Sequence, residues 1–356
     1  RMKVAVLVSG GVDSALALKL LVDQGHECTA FYLKIWLEDE LSFLGDCPWE
    51  TDLGYVRATC EGLGVPLSIV SLQREYHERV VRYTLDELVA GRTPSPDVFC
   101  NERVKFGAFF DHIDDSFERV ATGHYARLLR EGGHTLLALA PDPVKDQTYF
   151  LAHLSEAQLA RALFPVGELV KSEVRRMALE YALPPAGRKD SQGICFLGKV
   201  RFRDFARSYL GERQGAIVEQ GTGRVLGQHA GYWFHTIGQR TGLGLSGGPW
   251  FVVRKDIVNN LIEVVHGEQY QQAQLDRFPV EEMHWINGVP ASGSGLSCKL
   301  RHGPTMFACS LMQDQHDPRR GLVTLLDGQD AGCAPGQFAV FYRDGICLGM
   351  GRIAAG

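Results

Sequence analysis

The sequence predicts an α/β fold: a doubly wound, mostly parallel sheet followed by β-rich regions. Three observations carry this. Short apolar runs alternate with helix-like segments over residues 3–122. A glycine-rich turn, SGGVDS at 9–14, stands directly after the first run. From about residue 211 helical periodicity fades, and short β-rich runs punctuated by glycine take over. Alternation of strands and helices implies right-handed crossovers and a sheet covered on both faces, with ligands bound at the carboxyl ends of the strands.

The elements follow in order. Residues 3–8 (KVAVLV) read as a buried parallel strand, and 15–23 as a helix that Gly25 stops. Residues 29–33 form the second strand. Residues 52–63 form a helix with Val56, Cys60 and Leu63 on one side, ended by Gly64 and Pro66. Residues 67–72 give a third strand, 75–90 a long helix, 104–117 another helix and 119–122 another strand. Residues 127–140 read as a hairpin around Glu131-Gly132-Gly133, and Ser155 to Gln158 as a capping box. Pro184-Pro185 ends the preceding helix. Runs at 216–219, 261–265, 321–326 and 338–342 are strand-like. The expected domains are 1–200, 201–270 and 271–356.

With 356 residues, 45 % hydrophobic and 22 % charged, the chain resembles ordinary globular proteins and should bury about 75 % of its unfolded surface. Disorder, collagen repeats and coiled coil are excluded. No apolar stretch approaches membrane-span length, so no membrane is expected. The start, Arg1-Met2-Lys3, runs straight into a strand, so no signal or transit segment is expected. The expected location is a bacterial cytoplasm, with an organelle matrix or stroma second. Net charge is −5, which argues against a whole-chain nucleic-acid footprint but leaves room for a local one. Residues 171–213 hold ten Lys/Arg against five Asp/Glu. The nine cysteines are odd in number and sparse, which speaks against a disulfide framework. No paired Cys/His spacing suits structural zinc. Cys28, Cys47, Cys60, Cys298, Cys309, Cys333 and Cys347 read as structural, Cys47 least firmly. Trp233, Trp250 and Trp285 read as β-domain packing, and His124 is open between a structural and a functional role.

Ser9-Gly10-Gly11-Val12-Asp13-Ser14 sits between a strand and a helix. Two glycines let backbone N–H groups close around an anion, and the helix start adds partial positive charge. Ser9 and Ser14 can donate to phosphate oxygens, and Asp13 suits Mg²⁺. The lysine of a Walker loop is missing. Two further segments hold candidate thiols. Cys100 lies near the end of the two-proline link 91–103, before the helix expected at 104. There it would gain thiolate character from the helix start and from Arg103 or Lys105, and Asp97 could shuttle a proton. Cys195 follows Arg188 and Lys189 in a segment of small residues.

The loop string resembles that of the N-type ATP pyrophosphatases, which adenylate an oxygen to make it a leaving group. The resemblance then narrows. SGGVDS is followed by RTPSPDVFCN (92–101), ATGHYA (121–126), KDQTYFL (145–151), FPVGEL (164–169), KDSQGICF (189–196), HTIGQRTGLG (235–244), PGQFAVFY (335–342) and CLGMG (347–351). In this order and spacing, from about residue 3 to 352, the chain resembles the tRNA-specific 2-thiouridylases. The resemblance implies an ATP-pyrophosphatase catalytic domain, a small central β-rich domain and a C-terminal β-barrel.

It also implies roles. Ser9, Gly10, Gly11, Val12, Asp13 and Ser14 would hold ATP and Mg²⁺. Leu33, where the family often has Met, would lie against adenine, and Gly123 near the nucleotide. Ser95 (often Asn in the family), Pro96 and Asp97 would meet the target base. Lys145, Asp146, Gln147, Arg301 and His302 (often Tyr) would touch tRNA. Cys195 would carry a persulfide from a sulfur-relay partner, and Cys100 would be the second catalytic thiol. The pair would end as a disulfide, with Cα atoms about 4.4–6.8 Å apart, so one loop is expected to move. Arg201, Arg203, Arg207 and Arg213 would face phosphates. Three other readings stay open at this level. One is an amidating ligase of the same superfamily, which needs no cysteine. Another is a tRNA-binding protein with ATP as a structural ligand. The third is thiolation of the same base fed by an iron–sulfur cluster.

Overall fold

The computed structural model describes residues 1–35, 49–190, 201–272, 275–330 and 333–355. Its first sheet is parallel throughout. β1 (Lys3–Leu7) lies between β2 (Glu27–Lys34) and β4 (Arg119–Ala121). β3 (Leu67–Ser71) follows β2, and β7 (Ala162–Leu163) follows β4, giving the order β3-β2-β1-β4-β7. The strand order reverses at β1, so the carboxyl ends of β1 and β4 border the crevice where such sheets bind ligands. Helix α1 (Val12–Asp23) and the helix Trp49–Leu63 cover one face, near Val4, Val6 and Val8. Leu72, Tyr76, Phe106 and Phe109 fill the other.

The hairpin at 127–140 forms as the sequence predicts. β5 (Arg127–Glu131) and β6 (His134–Ala138) turn through Gly132 and Gly133, both at positive φ, the combination a two-residue I′ turn needs. Its allegiance was not foreseen: β6 pairs with β17 (Ile346–Ile353) and so joins the C-terminal sheet. That sheet closes as a six-stranded barrel. β12 (Arg277–Trp285), β15 (Gly321–Leu325), β14 (Phe307–Gln313), β13 (Ser297–Lys299), β16 (Phe338–Arg343) and β17 follow one another, and β12 pairs back onto β17. Between the two lies a four-stranded sheet, β10 (Trp250–Asp256), β11 (Leu261–His266), β8 (Gly215–Glu219) and β9 (Val225–His229), with its own core. The capping box forms in both directions, Gln158 N to Ser155 Oγ and Ser155 N to Gln158 Oε1.

One segment differs from expectation. No helix spans 104–117. A helix starts at Pro96 (Pro96–Phe99), continues as a π-helical turn, Cys100–Lys105, and gives way to a 3₁₀ turn, Ala108–His112. Pro96 is at the first helical position, where its missing N–H costs nothing, so a residue placed in the link before the helix acts as its start signal. Gly107 sets the stop: a Cβ there would meet Arg103 O at 2.4 Å.

Candidate active site

The phosphate loop is closed by Ser14. Its Oγ accepts from Ser9 N at 3.1 Å and donates to Gly11 O at 3.3 Å, with Ser9 Oγ 3.3 Å away. Gly10 stands at φ +82°, and a Cβ there would sit 2.6 Å from Asp52 O. Gly123, just past β4, packs on the loop–helix junction: a Cβ would lie 2.7 Å from Ser14 N. Val12 is buried. Leu33 is half-buried near the carboxyl end of β2, paired with Val70. His124 is buried, with Nδ1 2.6 Å from Thr122 Oγ1. Burial, aided by Lys105, holds its imidazole well below the ordinary value and therefore neutral.

The structure adds charged partners around the loop that the motif reading did not assign to it. Lys171 Nζ lies 2.6 Å from Asp13 Oδ1 and 2.9 Å from Asp190 Oδ1. Tyr125 Oη donates to the same Asp13 oxygen at 2.6 Å, and burial and Asp13 both push its phenol up, so it remains a donor. Lys145 Nζ reaches Asp190 Oδ2, and Arg175 reaches Asp190 Oδ1, each at 2.8 Å. Arg188 donates to Gly10 O at 2.8 Å and pairs with Asp52. Four cations thus face three carboxylates around a loop that already presents a helix start. Burial raises the Asp190 carboxyl, but the hydrogen bonds and charges of Lys145 and Lys171 outweigh it and bring it down to about 2. A signal for Lys171 was present: it is the first residue of the helix Lys171–Glu180, where the helix field disfavours a cation.

This donor set fits magnesium carried in by phosphates. Asp13 offers a carboxylate whose Oδ1 is shared with Lys171 and Tyr125. Among the described residues no group of three or more His, Cys, Asp or Glu is arranged to hold a metal by itself, as a dedicated protein cage would require.

Cys100 is 1 % exposed, packed in the core. It stands one turn beyond the helix start rather than ahead of one, so the field of the helix N-terminus falls on 96–99. Arg103 does not turn to the thiol: its guanidinium lies 4.0 Å over the Phe99 ring and bonds Arg79 O at 2.9 Å. Ser95 N donates to Tyr83 Oη, and Asn101 Nδ2 donates to Asp97 O and Phe150 O. The link before the helix is pinned to the barrel. Thr93 N donates to Pro335 O, and a Cβ on Gly336 would lie 2.7 Å from Arg92 Cβ. Buried Glu87 holds Arg92 by two hydrogen bonds and meets Arg352 at 3.3 Å. Cys195 and Cys47 lie outside the described residues.

The residues expected to touch tRNA are connected. His302 stacks on Phe150 at 4.8 Å, and its Nε2 is 3.0 Å from Asp146 O. Gln147 Oε1 accepts from Tyr125 N at 3.0 Å. Arg301 grips Asp330 with two nitrogens, at 2.9 and 2.8 Å. Asp146 is given to the fold: it is 1 % exposed, and its carboxylate accepts from Ala140 N and Thr148 Oγ1 and pairs with buried Lys299 at 3.3 Å.

Comparison with known proteins places this architecture. The family model described as the tRNA methyl transferase HUP domain matches residues 2–199, the tRNA methyl transferase PRC-barrel domain 203–266, and the aminomethyltransferase beta-barrel domain 275–353. The tRNA-specific 2-thiouridylase MnmA 1 of Bacteroides thetaiotaomicron is 45 % identical over 359 residues, 99 % of each chain. This chain belongs to the tRNA-specific 2-thiouridylase family. The MnmA 2-thiouridylase of Porphyromonas gingivalis is 44 % identical over 368 residues, 100 % of both chains. A solved 4-thiouridine synthetase–RNA complex with bound ATP overlaps 56 % of this 2-thiouridylase family member and 46 % of that chain, at 16 % identity and a TM-score of 0.36. No helix among the described residues is long and apolar enough to cross a membrane.

Proposed function

We infer that this chain is a tRNA-uridine 2-sulfurtransferase that uses ATP to exchange O2 of the wobble uridine for sulfur. One observation carries the reading. The segment 145–150 holds the phosphate pocket at one end, through Lys145 and Asp190, and the Cys100 helix at the other, through Phe150 O and Asn101. Activation and sulfur transfer would then share one framework.

The loop Ser9–Ser14 would take the triphosphate, with Lys171, Lys145, Arg175 and Arg188 balancing its charge. Magnesium on the phosphates, held by Asp13, would supply further neutralisation of the departing pyrophosphate. Leu33 and Gly123 would flank the nucleoside. Uridine C2 is a poor electrophile because its oxygen leaves badly. Attack of O2 on the α-phosphorus, with loss of pyrophosphate, turns that oxygen into part of an AMP leaving group. The terminal sulfur of a Cys195 persulfide then attacks C2, and AMP departs with the former O2. Cys100 attacks Cys195 Sγ, breaking its bond to the transferred sulfur and leaving a Cys100–Cys195 disulfide with 2-thiouridine. A thiol reductant must reopen that disulfide before the next cycle. Asp97 would take the proton from the attacking group. Ser95, Pro96 and Asp97 would receive the base, flipped out of its loop, while Lys145, Gln147, Arg301 and His302 would meet the RNA around it. A persulfide-carrying protein is the expected sulfur donor.

The test is single-turnover thiolation of unmodified tRNA with ATP–Mg²⁺ and a persulfide donor, using wild type, Cys100→Ser and Cys195→Ser. The expected result is 2-thiouridine from wild type alone, with AMP and pyrophosphate still formed by both variants. Normal thiolation by Cys195→Ser would remove the persulfide assignment. Wild type that turns ATP over only with ammonia would point to the amidating class.

A further inference from the structure

We propose that a cavity behind the Cys100 helix binds one unpaired base of the RNA, next to the thiolated uridine. The inference rests on the reading of this chain as a tRNA thiolase. The cavity, of about 260 Å³, lies between residues 92–96, the helix Phe202–Leu210 and the turn Tyr232–Phe234 that leads into the HTIGQR stretch. A cavity of about 150 Å³ already admits benzene, so this one has room for a single base.

Its walls suit a nucleobase. Phe202, Trp233 and Phe234 present rings, and every base has a face that stacks on aromatic side chains. Arg203 lies 4.9 Å over Phe234 at the cavity edge, positioned to meet a backbone phosphate. The polar groups point the same way. His235 is 4 % exposed, yet neither ring nitrogen has a well-formed hydrogen bond, and Trp233 Nε1 is buried in the same condition. Gln239, whose amide is close enough to bias the His235 titration, commits its Oε1 to Thr236 N and its Nε2 to Thr241 O. Buried polar atoms without partners are rare and costly, and these belong to side chains that border the cavity. Burial, with His229 and Arg203 beside it, holds His235 down to about 4. The ring is therefore neutral and offers one donor and one acceptor, while Trp233 adds a donor. That combination complements the alternating N–H and C=O edge of a base.

Position names the occupant. Pro94 and Pro96 form part of the wall, and Asp97 and Cys100 follow on the same helical run. A base that reaches Asp97 has its chain neighbours within a nucleotide's length of this cavity. The packing reading of Trp233 from sequence holds: it packs against the core of the central sheet and on Gly231, where a Cβ would lie 2.7 Å from Trp233 Cε2 and 3.1 Å from Nε1, while another part of the side chain borders the cavity.

The test is a binding cycle. Anticodon stem–loop RNAs are prepared intact or abasic at the nucleotide before or after the target uridine. Affinity is read by fluorescence anisotropy, alongside thiolation, for wild type, His235→Ala, Trp233→Phe and Arg203→Ala. We expect removal of one flanking base to weaken wild-type binding about tenfold or more. His235→Ala should lose as much on intact RNA and nothing further on that abasic RNA, and Trp233→Phe, which keeps the ring, should lose less. Arg203→Ala, at the cavity edge, gives a variant whose folding is not at risk, and its loss should shrink on the same abasic RNA. Losses that simply add, or abasic RNAs that bind like intact RNA, would overturn the pocket. Failure of wild type to thiolate intact RNA would instead strike the parent reading, because the anisotropy cycle does not depend on turnover.

Discussion

Lys171 Nζ sits 2.6 Å from Asp13 Oδ1 and 2.9 Å from Asp190 Oδ1, so one buried ammonium ties the phosphate loop to the residue that opens the stretch leading to Cys195. In the proposed mechanism its charge would face the departing pyrophosphate. Preorganised charge at a point of developing charge is worth about 10²–10³ in rate. Lys171→Ala is expected to lower pyrophosphate release by that factor while leaving RNA affinity within a few-fold. Stopped-flow phosphate detection coupled to pyrophosphatase, with anisotropy for RNA, reads both. Unchanged pyrophosphate release would confine Lys171 to a structural role.

Gly123 packs against the loop proposed to hold the nucleotide. A Cβ there would lie 2.7 Å from Ser14 N and 2.8 Å from Asp13 C, and these backbone atoms cannot swing aside. Gly123→Ala should cost about 1–3 kcal/mol of stability by overpacking and raise the KM for ATP at least tenfold. Gly62, in the helix Trp49–Leu63, has nothing within 4 Å of its Cβ position. Gly62→Ala should therefore stabilise by about 0.5–1 kcal/mol through helix propensity. Thermal melts of the two variants should move in opposite directions.

The sequence was informative where local chemistry decides structure. The parallel strands, the Gly132-Gly133 turn and the Ser155 cap depend on residues close together, and each appears at its expected place. The glycine-rich turn between β1 and α1 is legible for the same reason. Long-range pairings were not legible. Nothing in residues 134–138 says that β6 will join β17, and nothing near Asp13 announces Tyr125 or Lys171, which arrive from 112 and 158 residues away. The start at Pro96 was misread because proline both ends and begins helices, and only the φ/ψ of its neighbours decides which.

Asp190 gives a pH dependence with a definite sign. Its folded carboxyl is near 2, below the unfolded value of about 3.9. The unfolded state therefore binds the proton first, and the stabilisation is present above about pH 4 and disappears as pH falls through about 2. Asp190→Asn should lose about 1–2 kcal/mol at pH 6 and show a flatter acid limb between pH 4 and 2. Urea unfolding across that range measures the slope. Parallel curves for the two proteins would mean that Lys145 and Lys171 do not hold the carboxylate in solution.

The Asp146–Lys299 pair separates scaffold from RNA contact within one motif. Both side chains are nearly fully buried, and Asp146 also accepts from Ala140 N and Thr148 Oγ1. Lys299→Met leaves a carboxylate in the interior without its cation, a change that costs about 3–5 kcal/mol. Asp146→Asn combined with Lys299→Met should recover much of it, because no net charge remains buried. Lys145, 38 % exposed and next in sequence, should behave in the opposite way. Lys145→Ala should barely move the melting temperature, yet weaken RNA binding and lower the slope of log affinity against log salt by about one. If Lys299→Met leaves stability intact but abolishes RNA binding, Asp146 belongs to the RNA interface and the buried pair is not its main task.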